Sequence, residues 1–181
     1  MNKKTYRIFL SALFLILLIP ALFVSCASTE QRLYTVAQEE GQLIFLRPTT
    51  LKSSKSFVLT NSAFDVTVRV KNFSLTDDNT VNYTLYLPKG HYNSFENAEL
   101  FFSVPSYEKI ELGGKTVLYK DFDRKKNLEV RYSSTMTAQQ ILLLLENPDA
   151  VQIGVTFEGE TQLFKSEDFS QKLYELGVLV L

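Results

Sequence analysis

The stretch FDVTVRVK at residues 64–71 alternates apolar and polar side chains along its whole length. A period of two is the pattern of a half-buried β-strand, because successive side chains point to opposite faces of a sheet. The alternation then shifts by one residue, which predicts a bulge near Lys71-Asn72. Residues 81–87 alternate again after a turn at 77–79, so residues 64–87 are predicted to form a β-hairpin.

Short apolar or alternating segments on both sides of this hairpin predict further strands. They lie at residues 42–47, 56–60, 100–104, 107–112, 115–119 and 128–132. Gly113-Gly114 separates two of these segments and is a two-residue hairpin signal, because glycine readily takes the positive φ that such turns require.

The last third of the chain begins with a helical pattern. Thr137 and Gln140 have the spacing of a capping box before the apolar run at residues 141–145. Asn147-Pro148 is predicted to end this helix. Because five consecutive apolar residues cover more than one face of a helix, this helix is expected to be buried in the same core as the strands.

A strand, a turn and a second helix are predicted to follow. Residues 151–157 alternate, and the turn at Glu158-Gly159 leads into a strand at 161–165. Ser166 is predicted to cap the second helix, with an apolar face formed by Phe169, Leu173 and Leu176. Gly177 is predicted to end this helix, and the apolar segment Val178–Leu181 to return as a closing strand.

Together these segments predict about ten largely antiparallel strands and two short helices. The fold class is therefore mainly β, an antiparallel β-sandwich with two short C-terminal helices. A single antiparallel sheet with both helices on one face is the alternative. Residues 42–181 are predicted to form one domain, and the mostly polar residues 26–41 a short tether.

Charge argues against a nucleic-acid partner. The 181 residues carry a net charge of −1, and residues 26–181 contain 16 of the 19 basic residues and all 20 acidic ones. Nucleic-acid binding needs clustered Lys and Arg. The one dense basic group, Arg124-Lys125-Lys126, follows two aspartates and is interpreted as a solvated loop.

The N-terminus has the layout of a secretory signal. Lys3, Lys4 and Arg7 precede an almost wholly apolar run at residues 8–24, and small residues follow. The run has 17 residues and contains a proline, which is short for a membrane-spanning helix of about 20 residues. Residues 1–25 are therefore predicted to be a signal peptide.

The junction Leu22-Phe23-Val24-Ser25-Cys26 resembles the lipobox of bacterial lipoproteins, and Cys26 is the chain's single cysteine. The resemblance implies cleavage before Cys26, a diacylglycerol on its sulfur and a fatty acyl chain such as palmitate on its amino group. It also implies a globular domain anchored to the membrane by lipid. The residues after Cys26 contain no early aspartate, which by resemblance favours the outer membrane. An ordinary cleavage site releasing a soluble protein and an uncleaved anchor remain alternatives.

Catalytic and metal-binding patterns are sparse. His91 is the only histidine, and neither a second zinc ligand nor a nucleophile motif accompanies it. Residues 121–129 begin like a calcium loop, but Lys125 and Tyr132 stand where liganding positions are needed, so a charged turn is preferred. Glu96, Glu99, Glu108 and Glu111 form no specific carboxylate pair. No enzyme activity, cofactor or metal is predicted.

Tyrosines are the most suggestive side chains in the β region. They stand at positions 83, 86, 92, 107, 119 and 132. Tyrosine is enriched at protein contact surfaces, although β-sheets favour tyrosine in any case. The sequence therefore favours a non-enzymatic lipoprotein whose β domain binds or scaffolds another envelope protein. A lipoprotein that binds a small ligand or glycan through aromatic side chains is the alternative.

Overall fold

A computed structural model describes residues 31–52, 58, 61–92 and 95–181. The predicted signal peptide and Cys26 lie outside the described residues, as does all but Val58 of the strand predicted at 56–60. The described part contains eleven strands, two helices and two short 3-10 turns. The strands are β1 Leu33–Gln38, β2 Gly41–Thr50, β3 Ala63–Lys71, β4 Ser74–Leu75, β5 Asn79–Leu87, β6 Glu99–Val104, β7 Tyr107–Glu111, β8 Gly113–Phe122, β9 Leu128–Met136, β10 Gln152–Phe157 and β11 Glu160–Phe164, and the helices are α1 Ala138–Glu146 and α2 Glu167–Val180.

The strands form two antiparallel sheets. The larger sheet has seven strands in the order β1-β2-β3-β5-β9-β8, with β4 paired to β3, and the smaller sheet has the order β11-β10-β6-β7. Buried residues of both sheets and both helices belong to one hydrophobic core. The predicted mainly β sandwich with two C-terminal helices is therefore confirmed. The single-sheet alternative is wrong, because β6, β7, β10 and β11 form a second sheet.

The alternation at residues 64–71 decides which face of the larger sheet is buried. Phe64, Val66 and Val68 are buried, whereas Asp65 and Thr67 lie on the opposite, half-exposed face. We call these the inner and the outer face. The predicted antiparallel pairing of β3 with β5 is confirmed, and it continues both faces across the sheet.

Three phenylalanines join the sheets to the second helix. The ring centroids of Phe64 and Phe102 lie 5.7 Å apart, and Phe169 of α2 lies 4.9 Å from Phe64 and 5.6 Å from Phe102. Aromatic pairs at such separations are favourable beyond the apolar area that they bury. The large sheet, the small sheet and α2 therefore share one aromatic cluster.

A stacked pair of tyrosines fills the core beside this cluster. The rings of Tyr83 and Tyr132 lie 4.7 Å apart, and the Tyr132 hydroxyl donates a hydrogen bond to the Phe95 carbonyl at 2.6 Å. Burial raises the pKa of Tyr83 to about 12 and also raises the pKa of Tyr132, because a phenolate would be poorly hydrated there. Both side chains are core residues, as expected from the preference of sheets for tyrosine.

Both predicted helix starts are confirmed. The Gln140 amide donates to the Thr137 hydroxyl at 3.2 Å, and the Thr137 amide donates to the Gln140 side chain at 2.9 Å, which completes the capping box. Ser166 accepts from the Phe169 amide at the start of α2. In the leucine run of α1, Ile141 and Leu144 are buried, so this helix packs into the common core.

The strand predicted at Val178–Leu181 is wrong, because α2 continues to Val180. The Leu181 amide donates to the Gly177 carbonyl at 3.0 Å, which is the hydrogen bond of a continuing helix. Gly177 has no positive φ and so does not act as a helix-ending glycine. The apolar end of the chain is largely exposed instead of paired in a sheet.

The predicted tether at 26–41 is too long, because β1 lies within it. Leu33–Gln38 pairs with β2 through a two-residue turn, and Arg32–Leu181 cluster as one compact unit. Leu33 is the only buried residue of β1, as expected at a sheet edge. The segment therefore lacks the alternation of buried and exposed side chains that predicts the other strands.

Two local predictions are wrong, the hairpin at Gly113-Gly114 and the bulge near Lys71-Asn72. Gly113-Gly114 does not join a hairpin, because β7 pairs with β6 in the small sheet and β8 pairs with β9 in the large sheet. A glycine pair favours a local bend, but it does not determine that the strands before and after it pair with each other. Lys71-Asn72 is not a bulge either: Asn72 and Phe73 have positive φ and form a tight turn from β3 into β4. In β3, the pairing with β2 instead has its register shift opposite Leu46–Thr49 of β2.

Candidate binding face

His91 lies in the loop after β5 and contacts the turn between β10 and β11. Its Nδ1 is 3.5 Å from the Glu158 carboxylate, and its ring is edge-on to Phe157. These contacts attach a loop to a neighbouring turn.

The charged segment at 121–129 forms the hairpin turn between β8 and β9. Asp123 accepts hydrogen bonds from the amides of Lys125 and Asn127 at 2.8 Å and from the Asn127 side chain at 2.8 Å. The Asn127 side chain and these amides hold the pKa of Asp123 below its usual range. The carboxylate therefore stabilises the turn, as the charged-turn interpretation predicts. Among the described residues, no three His, Cys, Asp or Glu side chains are placed to hold a metal ion.

The concave regions of the described chain differ in size and character. A cavity of about 90 Å³ lies beside Tyr83, Lys115 and Ser134, well below the roughly 300–1,000 Å³ of small-molecule sites. A larger, open depression of about 680 Å³ is lined by Tyr86 and the 123–127 turn. Two of its polar side chains, Asp123 and Asn127, already bond within the turn, so they are poorly placed to bind a glycan.

The outer face of the large sheet brings together two tyrosines and an arginine. In the register of β5, β9 and β8, Tyr86 lies beside Glu129, and in the adjacent row Arg131 lies beside Tyr119. We call these four residues the tyrosine-arginine face. Tyr119 is 48% exposed, Arg131 is exposed, and Tyr86 and Glu129 are half-buried. The buried residues of both helices belong to the core on the inner face, so among the described elements none packs on this one.

Local contacts orient the two tyrosines. The Tyr119 hydroxyl lies 3.4 Å from the Asp121 carboxylate. Partial desolvation and the Asp121 carboxylate raise the pKa of Tyr119, and desolvation together with the Glu129 carboxylate raises the pKa of Tyr86. Both side chains therefore remain neutral hydrogen-bond donors at neutral pH.

The six tyrosines named from the sequence separate into different environments. Tyr83 and Tyr132 are in the core, whereas Tyr92 packs against Phe122 and donates to the Lys126 carbonyl. Tyr107 is half exposed at the start of β7. Only Tyr86 and Tyr119 share an open face. Arg131 was not predicted as a site residue, since strand register alone brings it beside Tyr119.

Comparison with known proteins finds no family model, no curated protein and no solved structure that matches the chain. Within the described residues, no helix is both long and apolar enough to cross a membrane.

Proposed function

We propose that this protein is a non-enzymatic, lipid-anchored binding protein whose tyrosine-arginine face contacts another protein of the cell envelope. The observation that carries the proposal is the uncovered face around Tyr86, Tyr119 and Arg131. Tyr and Arg dominate the binding energy of protein interfaces, because they combine a large apolar area with directional hydrogen bonds. On the same face, the exposed guanidinium of Arg131 lies next to the carboxylate of Glu129. This arrangement favours a polar partner surface that carries both positive and negative charges.

Cys26 would supply the anchor, at the outer membrane if the sorting resemblance holds. Two or more acyl chains hold a protein stably on a bilayer, whereas one holds it only marginally. The chain from Cys26 to Arg32 can span at most about 22 Å however it is arranged. The folded unit that begins at Arg32 would therefore stay close to the membrane surface.

Substitution of Cys26 tests the anchor. We expect Cys26→Ala to abolish labelling by an alkyne fatty acid and to leave a precursor or a loosely held protein, because the acceptor sulfur is gone. Ser28→Ala, two residues further on, is the matched control and should label normally. Unchanged membrane retention and unchanged mature size in Cys26→Ala would contradict the anchor.

Site-specific crosslinking in intact cells tests the face. A photoreactive residue in place of Tyr119 should give a discrete protein adduct, and Arg131→Ala in the same chain should weaken it, since loss of a hot-spot residue costs about 2 kcal/mol or roughly thirtyfold in affinity. The control places the photoreactive residue at Leu163, which is comparably exposed on the small sheet. The proposal fails if both positions give the same adducts, or if Arg131→Ala leaves the Tyr119 adduct unchanged.

A further inference from the structure

Among the described strands, β1 forms one edge of the large sheet, and one row of its backbone groups points away from β2. The Arg47 amide donates to the Arg32 carbonyl at 2.9 Å, and the pairing continues as Leu33 with Leu46. Because hydrogen-bonded and non-hydrogen-bonded pairs alternate in an antiparallel ladder, Leu33, Thr35 and Ala37 point their N–H and C=O groups away from β2. Among the described residues, no strand pairs with this side of β1.

The two edges of the large sheet are protected very differently. At the opposite edge, β8 has two register shifts and carries Lys115 and Lys120, which are devices that discourage pairing with another chain. By contrast, β1 has the sequence LYTVAQ, with no charge, proline or glycine, and its register with β2 is unbroken. Such an edge is a template for strand addition.

We propose that β1 pairs antiparallel with β1 of a second copy of this chain, in the register centred on Thr35. This register places Thr35 opposite its own counterpart, Leu33 opposite Ala37, and Tyr34 opposite Val36. All three outward-pointing residues then pair, which gives about six hydrogen bonds between the copies. The cross-strand pairs are aromatic with β-branched and threonine with threonine, which are favourable combinations.

The apolar surface beside β1 becomes continuous in this arrangement. Tyr34 stacks on Phe45 of β2 at 4.8 Å on the outer face, and both Tyr34 and Val36 are exposed. In the proposed register, Tyr34 of each copy covers Val36 of the other. Two exposed apolar pairs are therefore removed from water across the symmetry axis.

Charge favours the antiparallel direction. The basic residue Arg32 directly precedes the strand, and the acidic turn Glu39-Glu40 directly follows it. Antiparallel pairing places Arg32 of one copy opposite Gln38 and next to Glu39 of the other. A parallel arrangement would instead place like charges together.

Helix α2 contacts the large sheet near the start of β1. Glu175 reaches Arg32, with 2.9 Å between the Glu175 carboxylate and the Arg32 guanidinium. Val178 and Leu179 follow three and four residues later, on the side of the helix that carries Glu175. Val178 is 87% exposed and Leu179 is exposed as well. These two exposed apolar side chains lie one helical turn beyond the Arg32–Glu175 contact.

The expected dimer is weak in solution and promoted on a membrane. A six-residue strand pair is small for a protein interface, which indicates a dissociation constant on the order of micromolar. The inference does not depend on the lipid anchor. If Cys26 is acylated, confinement to one surface raises the effective concentration. The two Leu33 residues lie about 14 Å apart along the strands, so both copies can reach the same bilayer.

Cysteine crosslinking tests the register in the full-length chain. Thr35→Cys should form a disulfide dimer under mild oxidation. Tyr34→Cys and Val36→Cys should crosslink when the two variants are expressed together and not when each is expressed alone. Thr161→Cys, an exposed threonine in the edge strand β11, is the matched control and should form no disulfide-linked dimer, and neither should the unsubstituted chain.

Proline at the centre of the strand tests the hydrogen bonds. Because the Thr35 amide points away from β2 and none of the described strands pairs with it, Thr35→Pro should keep the melting temperature while lowering the dimer fraction about tenfold or more. Thr35→Lys, which places two like charges at the symmetry axis, should also lower the dimer fraction without changing the melting temperature. Thr35→Ala should leave the dimer fraction unchanged. The inference is overturned if Thr35→Cys forms no disulfide-linked dimer, if Thr161→Cys crosslinks equally, or if the noncovalent dimer fraction of Thr35→Lys equals that of the unsubstituted chain. If Thr35→Lys leaves the crosslinked adduct at Tyr119 unchanged, the proposed protein-binding function is supported independently of the result of the dimer test.

Discussion

Replacing Phe102 with alanine is expected to lower the free energy of unfolding by about 3–5 kcal/mol. The Phe102 side chain is fully buried in β6 and contacts Phe64 of the large sheet and Phe169 of α2. Its removal leaves a cavity where both sheets and a helix meet. Since a domain of this size is stabilised by only about 5–15 kcal/mol, the loss should be plain in chemical or thermal denaturation.

The same substitution tests whether the chain unfolds as one unit. We expect Phe102→Ala to shift a single cooperative transition, because the aromatic cluster belongs to both sheets and to α2. Phe73→Ala is the matched control: Phe73 is fully exposed at the β3–β4 turn, and its loss should leave stability nearly unchanged. Phe102→Leu should give an intermediate loss. Two separate transitions, or a Phe73 variant as unstable as the Phe102 variant, would contradict the shared core.

Replacing Lys172 with methionine is expected to cost about 2–3 kcal/mol of folding stability. Lys172 is a buried lysine on α2 whose Nζ donates to the Pro48 carbonyl at 3.1 Å, to the Thr49 hydroxyl at 2.9 Å and to the Asp168 carboxylate. Methionine keeps most of the side-chain volume, but the buried Thr49 hydroxyl and the Pro48 carbonyl each lose the hydrogen bond that Lys172 donates. The half-exposed Asp168 can turn to water and adds little to the cost.

Lys165→Met provides the comparison for this effect. Lys165 is exposed just before α2, so the same change of chemistry should alter stability by less than about 0.5 kcal/mol. The measurement is the midpoint of urea unfolding for the two variants and the unsubstituted chain. Equal midpoints for Lys172→Met and the unsubstituted chain would mean that the lysine does not attach α2 to β2.

Local signals in the sequence predicted most strands and both helix starts. The alternation at 64–71 and at 151–157 identifies the buried side of β3 and β10, since a period of two depends only on which side chains must leave water. The capping residues Thr137 and Ser166 predict helix starts for a similar reason, because a cap satisfies backbone groups a few residues away.

The candidate binding face was only partly predictable. Tyr86 and Tyr119 were singled out from the sequence, but so were four tyrosines that do not belong to the face. What brings the two together with Arg131 is the register of β5, β9 and β8, which places Tyr86 and Arg131, 45 positions apart in the chain, on the same face. Cys26 and the lipid anchor remain predictions from the sequence.

The sequence by itself determined the period of most segments, and through it the buried side of strands such as β3 and β10 and the class of the fold. Tertiary structure alone decided which strands pair, because pairing is selected by the free energy of the whole core and not by the turn between two segments. Gly113-Gly114 therefore connects two sheets, and the uncharged residues 33–38 form a strand because the exposed edge of β2 offers them hydrogen bonds. For the same reason the apolar C-terminus stays helical: the hydrogen bond from Leu181 to Gly177 satisfies its backbone, and none of the described strands pairs with it.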